Sequence, residues 1–195
     1  MPYRNDKLSP EIMGKLRQFY RLLLSYKGFK QAHYIASYIL DKKLHDSEDR
    51  RLLEALNCAM IVSYCRPFSA NERGIETKIP ALSASFLKDV PEAEREIHQV
   101  VLKDRNTVLA HSDSNAANLE PEVWKIRDKK VLVPWQNDRL APLTREATKT
   151  FLSLVNRMRD KIRNERMKIE PELVTCFDEI PIEKILDDEI TNDNG

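Results

Sequence analysis

Apolar side chains recur every three or four residues along most of this chain, the spacing of an α-helix that buries one face. The first such segment follows Ser9-Pro10-Glu11, where a cap residue, a proline and an acid stand in the order that begins helices. Gly28 predicts a break or a kink in this segment. A second helix, apolar on most sides, is predicted over about residues 48–66 and is expected to end before Pro67.

Three later segments follow the same helical spacing. A short helix is predicted over residues 81–88. A longer helix opens at Asp89-Val90-Pro91-Glu92, which is similar to a capping box, and is expected to run to about His111. The last long helix begins after the cap residue Thr144 and is expected to end at Pro171.

Between the last two helices, residues 123–126 and 131–135 predict a small β-hairpin, although the turn lacks Asn-Gly or Asp-Gly. Only four glycines occur in 195 residues, which disfavours a phosphate-binding loop and favours helices. The sequence therefore predicts an all-α domain over residues 1–169, a bundle of four to five main helices with the hairpin before the last one. Residues 170–195 are expected to form an acidic, disordered C-terminal tail.

The formal charge of +1 hides an uneven distribution of charged residues. Residues 170–195 hold nine acids against one lysine, so residues 1–169 carry 31 basic and 22 acidic side chains. A basic body favours a polyanionic partner such as RNA. No apolar run approaches the ~20 residues of a membrane span, and a cytoplasmic protein without membrane association is expected.

The candidate chemistry lies in residues 104–113, where Arg105, Asn106 and His111 stand at the end of a predicted helix. An arginine that stays charged and an imidazole that titrates near neutral pH are the groups needed to cleave a phosphodiester. On a straight helix His111 lies about 120° around and about 9 Å along the axis from Arg105. Either the helix unwinds at His111, or a second copy of the chain supplies the missing partner across a two-fold axis. The sequence leaves both arrangements open.

The run Arg105-Asn106-x4-His111 resembles the Arg-x4–6-His signature of the HEPN superfamily, small all-helical proteins that include many ribonucleases. The resemblance covers roughly residues 10–165 and leaves the acidic tail outside. It implies a homodimer that pairs through the motif-bearing helix, with two Arg/His sets in one cleft. It further implies RNA cleavage without a metal, leaving a cyclic phosphate, with Arg105, Asn106 and His111 as the catalytic residues.

A second run, Ser63-Tyr64-Cys65-Arg66-Pro67-Phe68-Ser69-Ala70-Asn71, is similar to a segment of the abortive-infection branch of that superfamily. This similarity implies a role in phage defence or as a toxin, with an antitoxin or a nucleotidyltransferase as a partner protein. Arg66 is a candidate substrate-binding residue. The plainer interpretation, slightly favoured by its position, is a cation at a helix C-terminus.

The sequence also leaves alternatives to an enzyme and other candidate residues to consider. Some HEPN proteins are inactive, so the alternative to an enzyme is a module that binds RNA, a nucleotide or a partner protein. The other histidines, His33, His45 and His98, show no metal-ligand spacing, so we expect neither a metal nor a cofactor. Trp124, Trp135 and Tyr64 are candidates for stacking on bases, although buried packing is the commoner use of such rings.

The acidic tail generates the first prediction. If it folds back over the basic body, it competes with nucleic acid for the same positive charge. Deleting residues 178–195 is therefore expected to tighten RNA binding at low salt, measured by fluorescence anisotropy with labelled RNA. An affinity equal to that of the full chain would contradict the hypothesis.

Overall fold

The computed structural model describes residues 9–69, 79–106, 119–136 and 141–176. Four long helices and one two-stranded hairpin lie within these ranges: α1 Pro10–Asp41, α2 Arg50–Cys65, α3 Glu92–Asp104, β1 Leu119–Ile126, β2 Lys129–Gln136 and α4 Arg145–Val174. Short 3₁₀ turns are found at Leu44–Asp46, Arg66–Phe68 and Ala84–Leu87. The predicted all-α bundle with a hairpin before the last long helix is confirmed.

Three of the four long helices in the described ranges, α1, α2 and α4, begin after residues whose side chains accept a backbone hydrogen bond. Ser9, Asp49 and Thr144 each accept from the backbone N–H three residues later, over 3.2–3.3 Å. Each such bond satisfies one of the N–H groups that have no partner inside a helix, which stabilises a helix by about 1 kcal/mol. The predicted starts at Ser9 and Thr144 are therefore correct.

Gly28 lies in the middle of α1, which runs without a break from Pro10 to Asp41. A Cβ atom built on Gly28 would lie only 2.8 Å from the carbonyl oxygen of Ser63 and 3.4 Å from the ring of Pro67. The glycine thus lets α1 approach the end of α2 closely. The predicted break at Gly28 is wrong, because the sequence pattern does not distinguish a glycine needed for packing from one that ends a helix.

The last helix also continues beyond its predicted end, since α4 includes Pro171 and ends at Val174. Two contacts hold its last turn against the bundle: Leu173 is buried, and the carboxylate of Glu172 lies 2.5 Å from Nζ of Lys15 on α1. Residues 170–174, assigned to the tail from the sequence, are therefore helical, and residues 177–195 lie outside the described residues. The predicted helix over residues 81–88 is only a 3₁₀ turn, Ala84–Leu87.

The hairpin is longer than predicted and pairs in antiparallel register, with Val123 opposite Leu132 and Trp124 opposite Val131. A two-residue connection requires a backbone with positive φ. Arg127 supplies it with a φ of 55°, which explains how the turn forms without Asn-Gly. The hairpin side chains from Val123 to Leu132 are all exposed, so these ten residues add nothing to the core.

The core is organised around Tyr64, a fully buried residue of α2. Its ring centroid lies 5.4 Å from that of Phe29 on α1, 5.4 Å from Phe68 and 5.1 Å from Phe151 on α4. Its hydroxyl lies 2.8 Å from Nδ1 of His98 on α3, so the buried oxygen is hydrogen-bonded. Tyr64 therefore touches all the other long helices. Other large side chains with less than 2% exposure are Leu22, Ile39, Met60, Ile61, Leu154, Met158, Ile162, Val101 and Val155.

An ion pair between the buried Glu94 of α3 and the partly exposed Arg157 of α4 fixes the two helices against each other. The carboxylate of Glu94 accepts hydrogen bonds from Nε and Nη2 of Arg157, at 2.8 and 3.1 Å, and from the hydroxyl of Ser153 at 2.8 Å. Hydrogen bonding from Arg157 holds the pKa of Glu94 below its usual value, against the opposing effect of burial. The bidentate geometry sets the position of α3 along α4.

The two glycines of α1 provide a matched test of the close approach. Gly28→Ala is expected to lower the free energy of unfolding by about 1–3 kcal/mol, because the methyl group meets backbone atoms of α2. Gly14→Ala, which meets nothing within 4 Å, is expected to raise it by about 0.5–1 kcal/mol. Urea denaturation of both variants measures the difference. Equal effects at the two positions would refute this role for Gly28.

Candidate functional site

A cleft of about 430 Å³ lies where the ends of α2 and α3 meet one side of α1. Among the described residues, its lining is basic and includes no carboxylate: Arg21, Leu24, Lys27, Gly28, Arg66, Pro67, Ser69 and Arg105. Three helices contribute cations to this one concave surface. Low-dielectric walls that carry charge of a single sign focus the electrostatic potential, so the cleft favours an anionic ligand.

Arg105 reaches the cleft from the end of α3. It follows the last residue of the helix with helical backbone angles, and its N–H donates to the carbonyls of Leu102 and Val101. Val101 is fully buried, which anchors this turn in the core. The Nη1 of Arg105 donates to Oδ1 of Asn106 at 2.9 Å. The first two residues of the predicted catalytic set are therefore hydrogen-bonded to each other, and Arg105 lines the cleft.

Arg66 caps the C-terminus of α2 and is exposed. Its Nη1 lies 3.5 Å from Oε1 of Gln31 on α1. Its place at the helix end agrees with the plainer interpretation, a cation near the negative end of the helix dipole. The same side chain lines the cleft together with Arg105, so the geometry leaves it available to a ligand as well.

Arg21 is a buried arginine whose hydrogen bonds go to backbone carbonyls. Its guanidinium donates to the carbonyl of Pro80, to that of Ser69 at 3.1 Å and to that of Ile79 at 3.3 Å. Burial lowers its pKa below the usual arginine value. Arg21 thus supplies a fixed positive charge to the wall of the cleft, whereas Lys27, Arg66 and Arg105 present side chains that are less buried.

The two residues just before Arg66, Tyr64 and Cys65, anchor the end of α2 in the core. Cys65 is fully buried, and its thiol donates to the carbonyl of Val101 at 3.5 Å. Burial raises the pKa of Cys65 to about 12, so this thiol is protonated near neutral pH and is no nucleophile. Tyr64, one of the rings predicted to stack on bases or to pack in the core, is fully buried and packs. Trp124 is 44% exposed on the hairpin.

Sequence reasoning found part of this site. Arg105, Asn106 and Arg66 were predicted from the sequence; the structure places Arg105 and Arg66 in the lining of one cleft, and Asn106 accepts a hydrogen bond from Arg105. His111 lies outside the described residues, so its position relative to Arg105 stays a prediction. Lys27 and Arg21 of α1 were missed. The signal that could have identified them is the absence of Asp and Glu from residues 12–40, which hold five Lys and Arg residues.

Neither a metal site nor a membrane-spanning helix is found in the part of the chain that the structure describes. Among those residues, no group of three or more His, Cys, Asp or Glu side chains is arranged to hold a metal ion. Within the same ranges, no helix combines the length and the apolar character needed to cross a membrane.

The chain matches no family model, no curated protein and no solved structure. The HEPN resemblance therefore rests on the residues quoted from the sequence.

His98 generates a prediction about pH. It is 4% exposed, and burial lowers its pKa, so the folded protein holds it neutral where the unfolded chain protonates it. Stability is then lost as the pH falls below about 6.5, the usual histidine value, by at most about 1.4 kcal/mol per pH unit. His98→Gln keeps an acceptor for the hydroxyl of Tyr64 but cannot titrate.

Unfolding free energies at several pH values between 7.5 and 5.5 would test this, with both proteins followed by urea denaturation. Wild type is expected to lose more stability over this range than His98→Gln. The pKa of His33 is also lowered, by burial and by Arg159, but His33 is present in both proteins and cancels in the comparison. Parallel pH profiles would show that His98 does not contribute.

Proposed function

We propose that this protein is a metal-independent endoribonuclease of HEPN type, in which Arg105, Asn106 and His111 act on RNA. The observation that carries the proposal is the cleft that Arg105 lines together with Arg66 and Lys27, with cations and no carboxylate among its described lining residues. A phosphodiester is the anion that such a set of cations suits, because a guanidinium can bind two phosphate oxygens at once.

The reaction needs few groups, since RNA carries its own nucleophile. A base removes the proton of the 2′-hydroxyl, and the 2′-oxygen attacks phosphorus. The bond from phosphorus to the 5′-oxygen breaks, that oxygen takes up a proton, and a 2′,3′-cyclic phosphate remains. His111 serves as the acid or base because an imidazole titrates near neutral pH. Arg105 stabilises the additional negative charge of the transition state.

The proposal includes a homodimer. One protomer offers Arg105 and Asn106 at the end of α3, and a second copy doubles the set and widens the basic surface that can hold RNA. Asn106 is exposed beside Arg105 and can orient the imidazole or the RNA backbone. Arg66 and Lys27 bind neighbouring phosphates and contribute to affinity.

The biological setting we propose is the cytoplasm, with a role in phage defence or as a toxin and with an antitoxin or a nucleotidyltransferase as a partner. This setting follows from the resemblance of residues 63–71 and 105–111 to HEPN proteins. The alternative is an inactive module of the same fold that binds RNA, a nucleotide or a partner protein.

Purified full-length protein is expected to cleave RNA in the presence of EDTA and to leave cyclic phosphate ends, detected by gel electrophoresis and mass spectrometry. Arg105→Ala and His111→Ala are each expected to abolish cleavage, because each removes a group that acts in the transition state. Circular dichroism of both variants is the control, and each is expected to keep the helical spectrum of wild type.

Arg50→Ala is the matched control, since Arg50 is an exposed arginine at the opposite end of α2, about 24 Å from Arg66 along the axis. It is expected to cleave like wild type. Arg66→Ala is expected to reduce the dependence of log affinity on log salt by about 0.7, the loss of one phosphate contact to a single strand. RNA that is bound but left intact by wild type would support the inactive module, and full activity in both Arg105→Ala and His111→Ala would refute the enzyme.

A further inference from the structure

The outward side of α1 carries a row of exposed large side chains. They are separated by four, three, four, three and four residues, so they share one side of the helix: Tyr20, Leu24, Lys27, Gln31, Tyr34 and Tyr38. Tyr34 is 59% exposed and Tyr38 is 47% exposed. Exposed rings aligned on one side of a helix are typical of an interaction surface, and this surface is named the tyrosine face.

The tyrosine face borders the basic cleft. Leu24 and Lys27 belong to both, and Gln31 accepts a hydrogen bond from Arg66 at 3.5 Å. From Tyr20 to Tyr38 the face extends about 27 Å along the helix. A ligand that occupies the cleft and continues in either direction along α1 therefore meets tyrosine rings.

The charges along the middle of this face are positive, and the nearest acid on α1 is Asp41, three residues after Tyr38 at the far end of the face. The Nζ of Lys30 lies 5.7 Å from the ring centroid of Tyr34, and on the neighbouring side the guanidinium of Arg159 lies 5.7 Å from the ring of Tyr26. Between Glu11 and Asp41, α1 contains no acidic residue. The ligand of this face should therefore be negatively charged and should offer flat groups that can pack on rings.

Two occupants can be compared on these grounds. A second copy of the chain that pairs through the same face would bring Lys27 and Lys30 near their own counterparts across the two-fold axis, which repels. A single-stranded nucleic acid brings phosphates for the lysines and unstacked bases for the tyrosines. A duplex keeps its base faces stacked inside and cannot use the rings. The chemistry of the face favours the single strand.

We propose that the tyrosine face is a base-stacking platform for single-stranded RNA, with Tyr34 and Tyr38 as the stacking residues and Lys27 as the phosphate contact that leads into the cleft. The identity of the ligand as RNA rests on the proposed function. The platform itself is a binding site outside the predicted catalytic set, and it would hold the strand next to Arg66 and Arg105.

The test compares three ligands that carry the same number of phosphates per strand: a 2′-O-methyl oligoribonucleotide, an abasic oligomer of equal length, and the first oligomer annealed to its complement. The 2′-O-methyl group blocks the nucleophile and so prevents cleavage. Full-length wild type is expected to bind the base-containing single strand more tightly than the other two, measured by fluorescence anisotropy. Tyr34→Leu and Tyr38→Leu are each expected to weaken that binding by about ten-fold and to leave binding of the abasic strand unchanged.

Tyr34→Phe and Tyr38→Phe are the matched controls, because they keep the ring and are expected to keep the preference for bases. The Leu variants should also keep the salt dependence of wild type, since they remove no phosphate contact. Equal binding of all three ligands by wild type would overturn the platform. A Leu variant that loses the preference only together with a change in oligomeric state, seen by analytical ultracentrifugation, would also overturn it and identify the face as an interface between copies.

The chelator cleavage assay separates this inference from the proposed function. Cleavage by wild type without any preference for bases would refute the platform alone. A preference for bases that depends on Tyr34 and Tyr38, without cleavage, would refute the nuclease alone and leave the platform in place.

Discussion

The position of the candidate site depends on the hydrogen bond between Tyr64 and His98 at the centre of the bundle. Tyr64 is completely buried, so its hydroxyl needs a partner, and a buried hydroxyl left without one costs about 1–3 kcal/mol. The bond therefore fixes how far α2 can slide along α3. Arg66 lies two residues beyond Tyr64, and Arg105 lies two turns beyond His98. One buried contact thus brings the ends of two helices together and sets two arginines around one cleft.

Much of the fold could be predicted because local chemistry determines where most helices begin. Ser9 and Thr144 can satisfy the free N–H groups of a first turn, and this property is visible in the sequence without knowledge of neighbours. Gly28 and Pro171 gave wrong boundaries for the opposite reason. Gly28 leaves room for the carbonyl oxygen of Ser63 on α2, and the turn containing Pro171 is held by the contact of Glu172 with Lys15 on α1. Tertiary packing therefore overrides the low helix propensity of both residues.

The candidate site was less predictable because it combines residues far apart in the chain. Arg105 and Asn106 could be singled out from their spacing to His111, and that spacing lies within one segment. Lys27 comes from a different helix, and spacing carries no information about which helices pack together. The long stretch of α1 without acidic residues was the available sign that this helix faces an anion. Whether His111 completes the set with Arg105 stays a prediction.

The hydrogen bonds of Arg21 affect how the chain between Ser69 and Ile79 can change during evolution. Its Nη2 donates to the carbonyls of both Ser69 and Ile79, and its Nε donates to that of Pro80. The residues that flank positions 70–78 are therefore bound to the same side chain of α1. Doubling the length of such a stretch adds only about 0.6 kcal/mol of closure entropy. Insertions between Ser69 and Ile79 would therefore cost little stability and leave the helices and the cations of the cleft in place.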